Sequence, residues 1–351
     1  RLSLCRGRKS GRLNSGVRAH PNMVTSQGSA MRTRSQKFGF VLLMGIFPAL
    51  ADTPQSPPSS AVLDRVLEIS EQDALNAPSV DWPSVTRTSK EILAKDDTET
   101  GLTTSIRYVL SKLQDHHSTY RPPQAKGVAD RTRPLVPIAS SSKSSEGTPV
   151  LSINSWSGRD AKLATTDARQ ALVKALDQEH CGLILDFSQN GGGNMWPMAM
   201  GVLPLLTEGT LGAFENRDSV KTTIVSTGKG LLVSGSPHFL NYVSLPSPTY
   251  LPNYIAIVLG KRTASSGEIT ALLFKGQSNV RFFGQRTAGV PTSNRVYPLP
   301  NGGTLALTTA VTLDRDGNKY SEPVVPDLET DKPIDAADSW ISTSCSMQRA
   351  P

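Results

Sequence analysis

The sequence has little cysteine, no long apolar run and almost no net charge outside its first 51 residues. Its three cysteines form no CxxC pair and no cluster with histidine, so no metal site and no disulfide-dense miniature fold is indicated. No apolar run reaches the roughly 20 residues that a membrane-spanning helix needs. With 37% hydrophobic and 19% charged residues, the chain is typical of a soluble globular protein of one large or two small domains.

The formal net charge of +7 belongs to the beginning of the chain. Nine of the 37 basic residues and none of the 30 acidic residues lie in residues 1–51, which leaves 28 basic against 30 acidic residues in the remainder. A nucleic-acid-binding protein needs a basic surface that displaces counterions from phosphates. A nearly neutral body therefore argues against nucleic acid as a partner.

The basic beginning has the pattern of an export signal. Met31 is followed by three basic residues, an apolar run of about 14 residues at 38–51, and the small-x-small ending Ala49-Leu50-Ala51. We therefore expect a signal peptide at 31–51, cleavage after Ala51, and a periplasmic or secreted protein. In such an oxidising compartment Cys181 and Cys345 could pair, although a buried free Cys181 is equally compatible with the sequence.

The rest of the chain indicates an α/β protein. Apolar positions repeat at helical spacing in 61–70 and 102–114, whereas from residue 150 onward short apolar strands alternate with helices. Among these elements we expect helices at 161–176 and 195–206 and a buried strand at 255–259. That alternation predicts a sheet covered by helices on both faces, with the site at the loops after the strands. The predicted organisation is an unstructured or misassigned segment 1–30, signal peptide 31–51, helical N-terminal region 52–118, linker 119–149, α/β core 150–335 and tail 336–351.

Three loops contain residues that could carry chemistry. A triple glycine at 191–193 follows an apolar strand, and its backbone amides could face a phosphate or an oxyanion, or could simply form a tight turn. Ser265 and Ser266 begin a helix after another strand, where a serine is either a nucleophile or, more commonly, an N-cap. His116 and His117 end the second predicted helix, where a histidine usually makes a favourable dipole contact.

Together these loops resemble the tail-specific, or C-terminal processing, serine peptidases of family S41 and the related tricorn core protease. The resemblance implies a ClpP/crotonase-like α/β core and extends over about residues 110–330. Its matching stretches are Q-D-H-H-S at 114–118, G-L-I-L-D-F-S-Q-N-G-G-G-N at 182–194, T-A-S-S-G-E at 263–268, G-Q-R-T-A-G at 284–289 and Pro326-Asp327.

The resemblance also assigns roles to residues of the three loops. It implies Ser265 as nucleophile and, as oxyanion donors, the amides of Ser266 and of Gly191 or Gly192. The lysine base of the tail-specific branch is absent, because Val290 takes its place. The tricorn-like branch uses a histidine instead, and His117 occupies the matching position.

The partner that orients His117 is left open between several residues. Glu322 lies near the acid of the tricorn branch, displaced by about two residues, and Ser118 and Asp115 are polar neighbours of the base. Glu268 is expected to cap or brace the serine loop. About 30 residues separate Ser118 from Val150, too few for the family's PDZ module.

The expected function is that of an exported serine peptidase that cleaves short or unfolded peptides through an acyl-enzyme, without a cofactor or metal. The alternative is a non-catalytic binding protein of the same fold, with the glycine loop and Ser265 shaping a pocket for an apolar ligand or peptide. The absence of the lysine favours this alternative. The serine, the histidine and the glycine loop favour the enzyme.

Overall fold

The computed structural model describes residues 57–123, 136–234, 236–238 and 245–349. All of them belong to one compact unit, Pro54–Pro351. The segments predicted as an upstream region (1–30) and signal peptide (31–51) lie outside the described residues. None of the helices within the described ranges is both long enough and apolar enough to cross a membrane.

Several of the helices begin where a short polar side chain caps them. Asp81, Thr98 and Asp160 each accept a hydrogen bond from a backbone N–H in the first turn of the helix that follows. The α-helices are α1 Ser59–Asp73, α2 Trp82–Lys95, α3 Glu99–Ser111, α4 Ala161–Ala175, α5 Met195–Gly201, α6 Ser266–Leu272 and α7 Pro333–Arg349.

The strands form two sheets. Five strands of the first sheet are parallel in the order β14-β10-β9-β4-β3, and β2 adds to its edge antiparallel. Its strands are β2 Ala139–Lys143, β3 Pro149–Ile153, β4 Gly182–Asp186, β9 Tyr254–Leu259, β10 Val280–Gly284 and β14 Leu328–Glu329. The central strands β4 and β9 are short apolar runs buried on both faces, which is typical of parallel strands covered by helices.

The second sheet is antiparallel. Its order is β1-β12-β5-β6-β7-β8, with β11 and β13 also paired to the long strand β12. Its strands are β1 Thr119–Arg121, β5 Gly209–Asn216, β6 Lys221–Ser226, β7 Leu231–Val233, β8 Ser236–His238, β11 Thr292–Pro298, β12 Thr304–Asp314 and β13 Lys319–Tyr320.

Three apolar clusters hold these layers together. One face of the parallel sheet packs on α4, α5 and α6, and the other packs on α7 through Ala337 and Ile341. The helices α1, α2 and α3 pack on the antiparallel sheet through Leu305 and Leu307 of β12. The prediction of an α/β core with a helical N-terminal region is confirmed, including helices on both faces of the parallel sheet.

Several predicted boundaries differ from the observed elements. Most of the predicted tail from residue 336 is helix α7, and the predicted linker contains β1 and β2. Buried Ile138, directly before β2, packs in the main core. The helix predicted over 195–206 ends at Gly201, and a 3-10 turn containing Pro204 follows, since proline cannot donate a helical hydrogen bond.

A disulfide joins Cys181 to Cys345, with a Cα–Cα distance of 6.1 Å. Cys181 directly precedes β4, and Cys345 lies in the last turns of α7. Of the two alternatives that the sequence left open, the structure has the paired cysteines. The bridge therefore joins the last turns of the C-terminal helix to the start of β4, a central strand of the parallel sheet.

Candidate active site

The serine loop and the glycine loop meet because they follow neighbouring parallel strands. β4 pairs with β9, so the loops after both strands emerge at the same edge of the sheet. The Ala264 N–H donates to the carbonyl of Asn190 at 2.9 Å, and the Ser266 hydroxyl donates to the carbonyl of Gly193 at 2.6 Å. At Gly192, a Cβ would come within 2.9 Å of the Ser265 Cβ, so only glycine fits beside the serine.

Ser265 occupies a strained backbone conformation at the start of α6. Its φ is +52°, in a region that residues with a side chain rarely adopt. A serine held on such a strand-to-helix turn presents its hydroxyl at the top of the sheet. The position therefore has the form of a nucleophile turn, whereas a helix cap would need no such strain.

Glu268 holds this strained turn in place. Its carboxylate accepts the N–H groups of Ser265 at 2.7 Å and of Gly289 and Val290 at 3.0 Å each, and also the hydroxyl of Thr287. The side chain is fully buried, and this burial raises the pKa of Glu268, while its hydrogen bonds act in the opposite direction. The structure thus gives Glu268 the bracing contacts that its motif predicts.

His117 is positioned by its own loop and by the antiparallel sheet. Asp115 Oδ1 accepts the N–H groups of His117 and Ser118 at 3.0 and 2.8 Å, which closes the turn between α3 and β1. From the sheet, Asn294 Nδ2 donates to the His117 carbonyl at 3.0 Å. The backbone on both sides of the ring is therefore fixed.

The imidazole of His117 bridges two hydroxyl groups. Its Nε2 lies 3.0 Å from Ser265 Oγ, and its Nδ1 lies 2.7 Å from Thr292 Oγ1. Burial lowers the pKa of His117, and the nearby Asp115 carboxylate partly opposes that shift. A neutral imidazole hydrogen-bonded to a serine hydroxyl is suited to take the proton of that hydroxyl.

The structure does not place the predicted orienting residues on the imidazole ring. Glu322 is exposed and makes no hydrogen bond or ion pair with any residue that the structure describes. Ser118 lies beside the base, but its hydroxyl donates to Asp115 Oδ2 at 2.6 Å and accepts the Thr308 N–H at 3.0 Å. Thr292 is the residue that contacts His117 Nδ1, where Glu322 or Ser118 was expected. Ser118 instead stabilises the turn between α3 and β1.

The structure also differs from the sequence prediction at the glycine amides expected to donate to an oxyanion. The Gly191 N–H donates to Ser155 Oγ at 2.7 Å, and the Gly192 N–H donates to Asn190 Oδ1 at 2.9 Å, so both amides are already engaged. Within the described parts of the chain, the amides of Ser266 and Gly193 have no acceptor. Hydrogen bonds from loop amides leave no trace in a motif, so the sequence alone does not show which of the three glycine amides is free.

Two contributing residues carry no sequence signal that could have revealed them. Thr292 and Asn294 lie on β11, after the G-Q-R-T-A-G stretch at 284–289, and small polar residues at the start of a strand are common. Val290, in place of the family's lysine, contributes only its N–H, to Glu268. The described residues contain no group of three or more His, Cys, Asp or Glu side chains that could hold a metal ion.

The fold and the site together resemble those of serine hydrolases. The chain has an α/β core, and a serine on a strained strand-to-helix turn faces a histidine in the geometry that such enzymes use. The particular family follows from sequence comparison. The profile of peptidase family S41 matches residues 148–330, and the chain belongs to that family.

The chain is also similar to individual known proteins. The nisin-resistance protein of Lactococcus lactis subsp. lactis is 32% identical over 200 residues, which cover 56% of this chain and 60% of that protein. A solved lipoprotein from Streptococcus agalactiae has a TM-score of 0.71 at 28% identity, over 83% of this chain and 98% of its own. The photosystem II D1 C-terminal processing protease shares the fold, with a TM-score of 0.53 at 14% identity over 78% and 93% of the two chains.

Proposed function

We propose that the protein is a serine peptidase that hydrolyses peptide bonds through an acyl-enzyme. Ser265 Oγ attacks the carbonyl carbon of the scissile bond while His117 Nε2 takes the hydroxyl proton. The imidazolium then gives this proton to the leaving amine. A water molecule attacks the resulting ester by the same proton transfers in the second half of the cycle.

The Ser266 amide and the Gly193 amide are the donors that we propose for the tetrahedral oxyanion. Ser266 directly follows the nucleophile at the N-terminus of α6, and Gly193 lies in the loop that packs against it. An amide without an acceptor in the resting protein has no bond to give up when negative charge develops. Losing one such donor typically costs roughly 10²–10³ in turnover.

The observation that carries the proposal is the 3.0 Å contact between Ser265 Oγ and His117 Nε2. A binding protein that kept only the fold would need neither that contact nor the strained φ of Ser265. Strain of this kind costs on the order of 1–3 kcal/mol and is retained chiefly where function requires it. The non-catalytic alternative has no specific observation in its favour beyond the absent lysine, for which His117 substitutes.

We further propose that the protein acts outside the cytoplasm on peptides. The Cys181–Cys345 disulfide is compatible with an oxidising compartment, and the relatives include a lipoprotein and a nisin-resistance protein. Nisin is accordingly the first substrate to test, alongside unfolded protein segments. The alignment with the nisin-resistance protein leaves part of that protein unmatched, so shared specificity is itself a proposal.

Peptide hydrolysis by the full chain tests the proposal. We expect cleavage of nisin or of a denatured-protein digest, and loss of that cleavage in Ser265→Ala and in His117→Ala. Ser339→Ala is the matched control, because this exposed serine lies on α7 and its hydroxyl donates only to the Asp335 carbonyl of the same helix. Undiminished cleavage by purified Ser265→Ala would refute the assignment.

A further inference from the structure

Within the described residues, strand β11 has one edge without a partner strand. Among the described strands it pairs only with β12, through all of its residues from Thr292 to Pro298. Its first residue, Thr292, contacts the imidazole of His117, and the strand leads away from that contact. Six further residues at about 3.3 Å each give an open edge of roughly 20 Å that begins at the catalytic pair.

The register shows which backbone groups point outward. The Thr308 N–H donates to Ser118 Oγ and its carbonyl accepts the Leu75 N–H, so Thr308 faces away from β11. The neighbouring Leu307 therefore faces β11, where it pairs with Arg295. By alternation, the N–H and C=O groups of Asn294 and Val296 point to the free edge.

The same alternation determines which side chains of β11 share a face of the strand. Thr292, Asn294 and Val296 lie on one face, and the first two contact His117. Val296 is 62% exposed on that face. The edge thus offers unpaired backbone groups and an apolar contact directly beyond the catalytic histidine.

We propose that an extended segment of the peptide substrate adds to the outer edge of β11 as a further strand, which directs its scissile bond to Ser265. The inference rests on the proposed peptidase function and adds how its substrate is held. Recognition is by main-chain hydrogen bonds to Asn294 and Val296, with a substrate side chain against Val296. The substrate class is therefore an unstructured peptide, because a folded segment has no free backbone groups to offer.

Backbone N-methylation of a substrate tests the proposal on the unaltered protein. A decapeptide that the full chain cleaves is made in versions with one N-methyl group each, at least two residues from the scissile bond. Strand addition predicts that KM rises about five- to tenfold at alternate positions on one side of that bond, for each hydrogen bond lost. KM values that show no period of two overturn the proposal.

A variant of the strand gives an independent test. Val296→Pro removes the outward N–H and is compatible with an edge strand whose N–H faces solvent, whereas Val296→Ala keeps that N–H. We expect KM for the decapeptide to rise about five- to tenfold in Val296→Pro and clearly less in Val296→Ala. Equal KM values for Val296→Pro and the parent overturn strand addition. If the proline variant does not fold, the N-methyl series decides.

Two further outcomes separate the possible failures. If the parent protein reacts with a fluorophosphonate and cleaves the decapeptide, but its KM values show no alternating pattern, the proposed peptidase function stands and strand addition is refuted. If the parent protein neither reacts nor cleaves, both proposals are refuted. Light scattering that finds a dimer of the parent and a monomer of Val296→Pro would assign the edge to a second copy of the chain, which also overturns the proposal.

Discussion

Thr292 gives His117 a neutral partner where many serine hydrolases have a carboxylate. For His117 Nε2 to accept the Ser265 proton, Nδ1 must carry the ring hydrogen and donate it to Thr292 Oγ1. The threonine therefore fixes both the tautomer and the orientation of the ring, but contributes no negative charge to the imidazolium. Asp115 is the carboxylate that acts on the pKa of this ring.

Replacing Thr292 by valine tests that positioning role. The two side chains have nearly the same shape, so Thr292→Val removes the hydrogen bond to Nδ1 with little change in packing. We expect kcat to fall roughly 10²-fold, the range of a disturbed general base, with a much smaller change in KM. Thr292→Ser keeps the hydroxyl and should recover most of the rate. Equal kcat for Thr292→Val and the parent would contradict the role.

The lowered pKa of His117 predicts the pH dependence of activity. Because burial disfavours the imidazolium, the acid limb of kcat/KM should lie below the ordinary histidine value of 6.5. Asp115 raises this pKa, so Asp115→Asn should move the limb to still lower pH. A pH–rate profile of parent and variant measures both shifts, and an Asp115→Asn limb at higher pH than the parent's contradicts the electrostatic argument.

The turn from β9 into α6 depends on one buried carboxylate. Glu268 accepts hydrogen bonds from four donors that belong to the nucleophile turn and to the loop before β11. Both partners of the serine–histidine contact are therefore positioned through the same side chain. A neutral amide at this site has one oxygen fewer for these donors.

Glu268→Gln should accordingly weaken both folding and catalysis. We expect the free energy of unfolding to fall by about 1–3 kcal/mol, the usual effect of a buried donor without an acceptor. Reaction with a fluorophosphonate should slow at the same time. Glu322→Gln is the matched control, since Glu322 is exposed, and it should leave both quantities unchanged. A loss of activity in Glu322→Gln alone would restore Glu322 as the orienting acid.

The elements that the sequence predicts well are those with a strong apolar period or run. Helix α4 was expected at 161–176 and strand β9 at 255–259, each within one residue of its observed ends. Helix α7 and the hairpin strands β5 to β8 were not predicted. Thr and Ser are frequent in both regions, and their burial depends on the sheets against which they pack.

The site was predictable to the extent that local motifs define it. Ser265 and His117 lie in recognisable motifs, and the structure brings them within hydrogen-bonding distance. Thr292 and the free amide of Gly193 were not predictable, because their contacts depend on residues far away in sequence. Thr292 meets His117 across 175 positions of the chain.

At the scale of the whole molecule, the Cys181–Cys345 disulfide links two cysteines that are 164 residues apart in sequence. The loop that it closes contains the glycine motif, the nucleophile and β11, so the bridge constrains the unfolded chain over most of the site. Loss of a native disulfide typically costs about 2–5 kcal/mol, and the loop-entropy relation gives about 5 kcal/mol for a loop of this length. The bridge adds to the apolar contacts by which α7 packs on the parallel sheet.

Removing both cysteines should lower stability without altering the chemistry. In Cys181→Ser with Cys345→Ser, we expect a urea unfolding midpoint that corresponds to about 2–5 kcal/mol less free energy of unfolding. The parent in reducing buffer provides the comparison. An unchanged midpoint in both samples would mean that α7 is held by its apolar contacts alone.

The most direct test of the account is covalent labelling of the full chain with a fluorophosphonate, followed by peptide mapping. We predict a single modified residue, Ser265, with labelling abolished in Ser265→Ala and strongly slowed in His117→Ala. Modification of Ser266 or Ser118 instead, or undiminished labelling of the Ser265→Ala protein, would contradict the assignment of the nucleophile and with it the proposed peptidase mechanism.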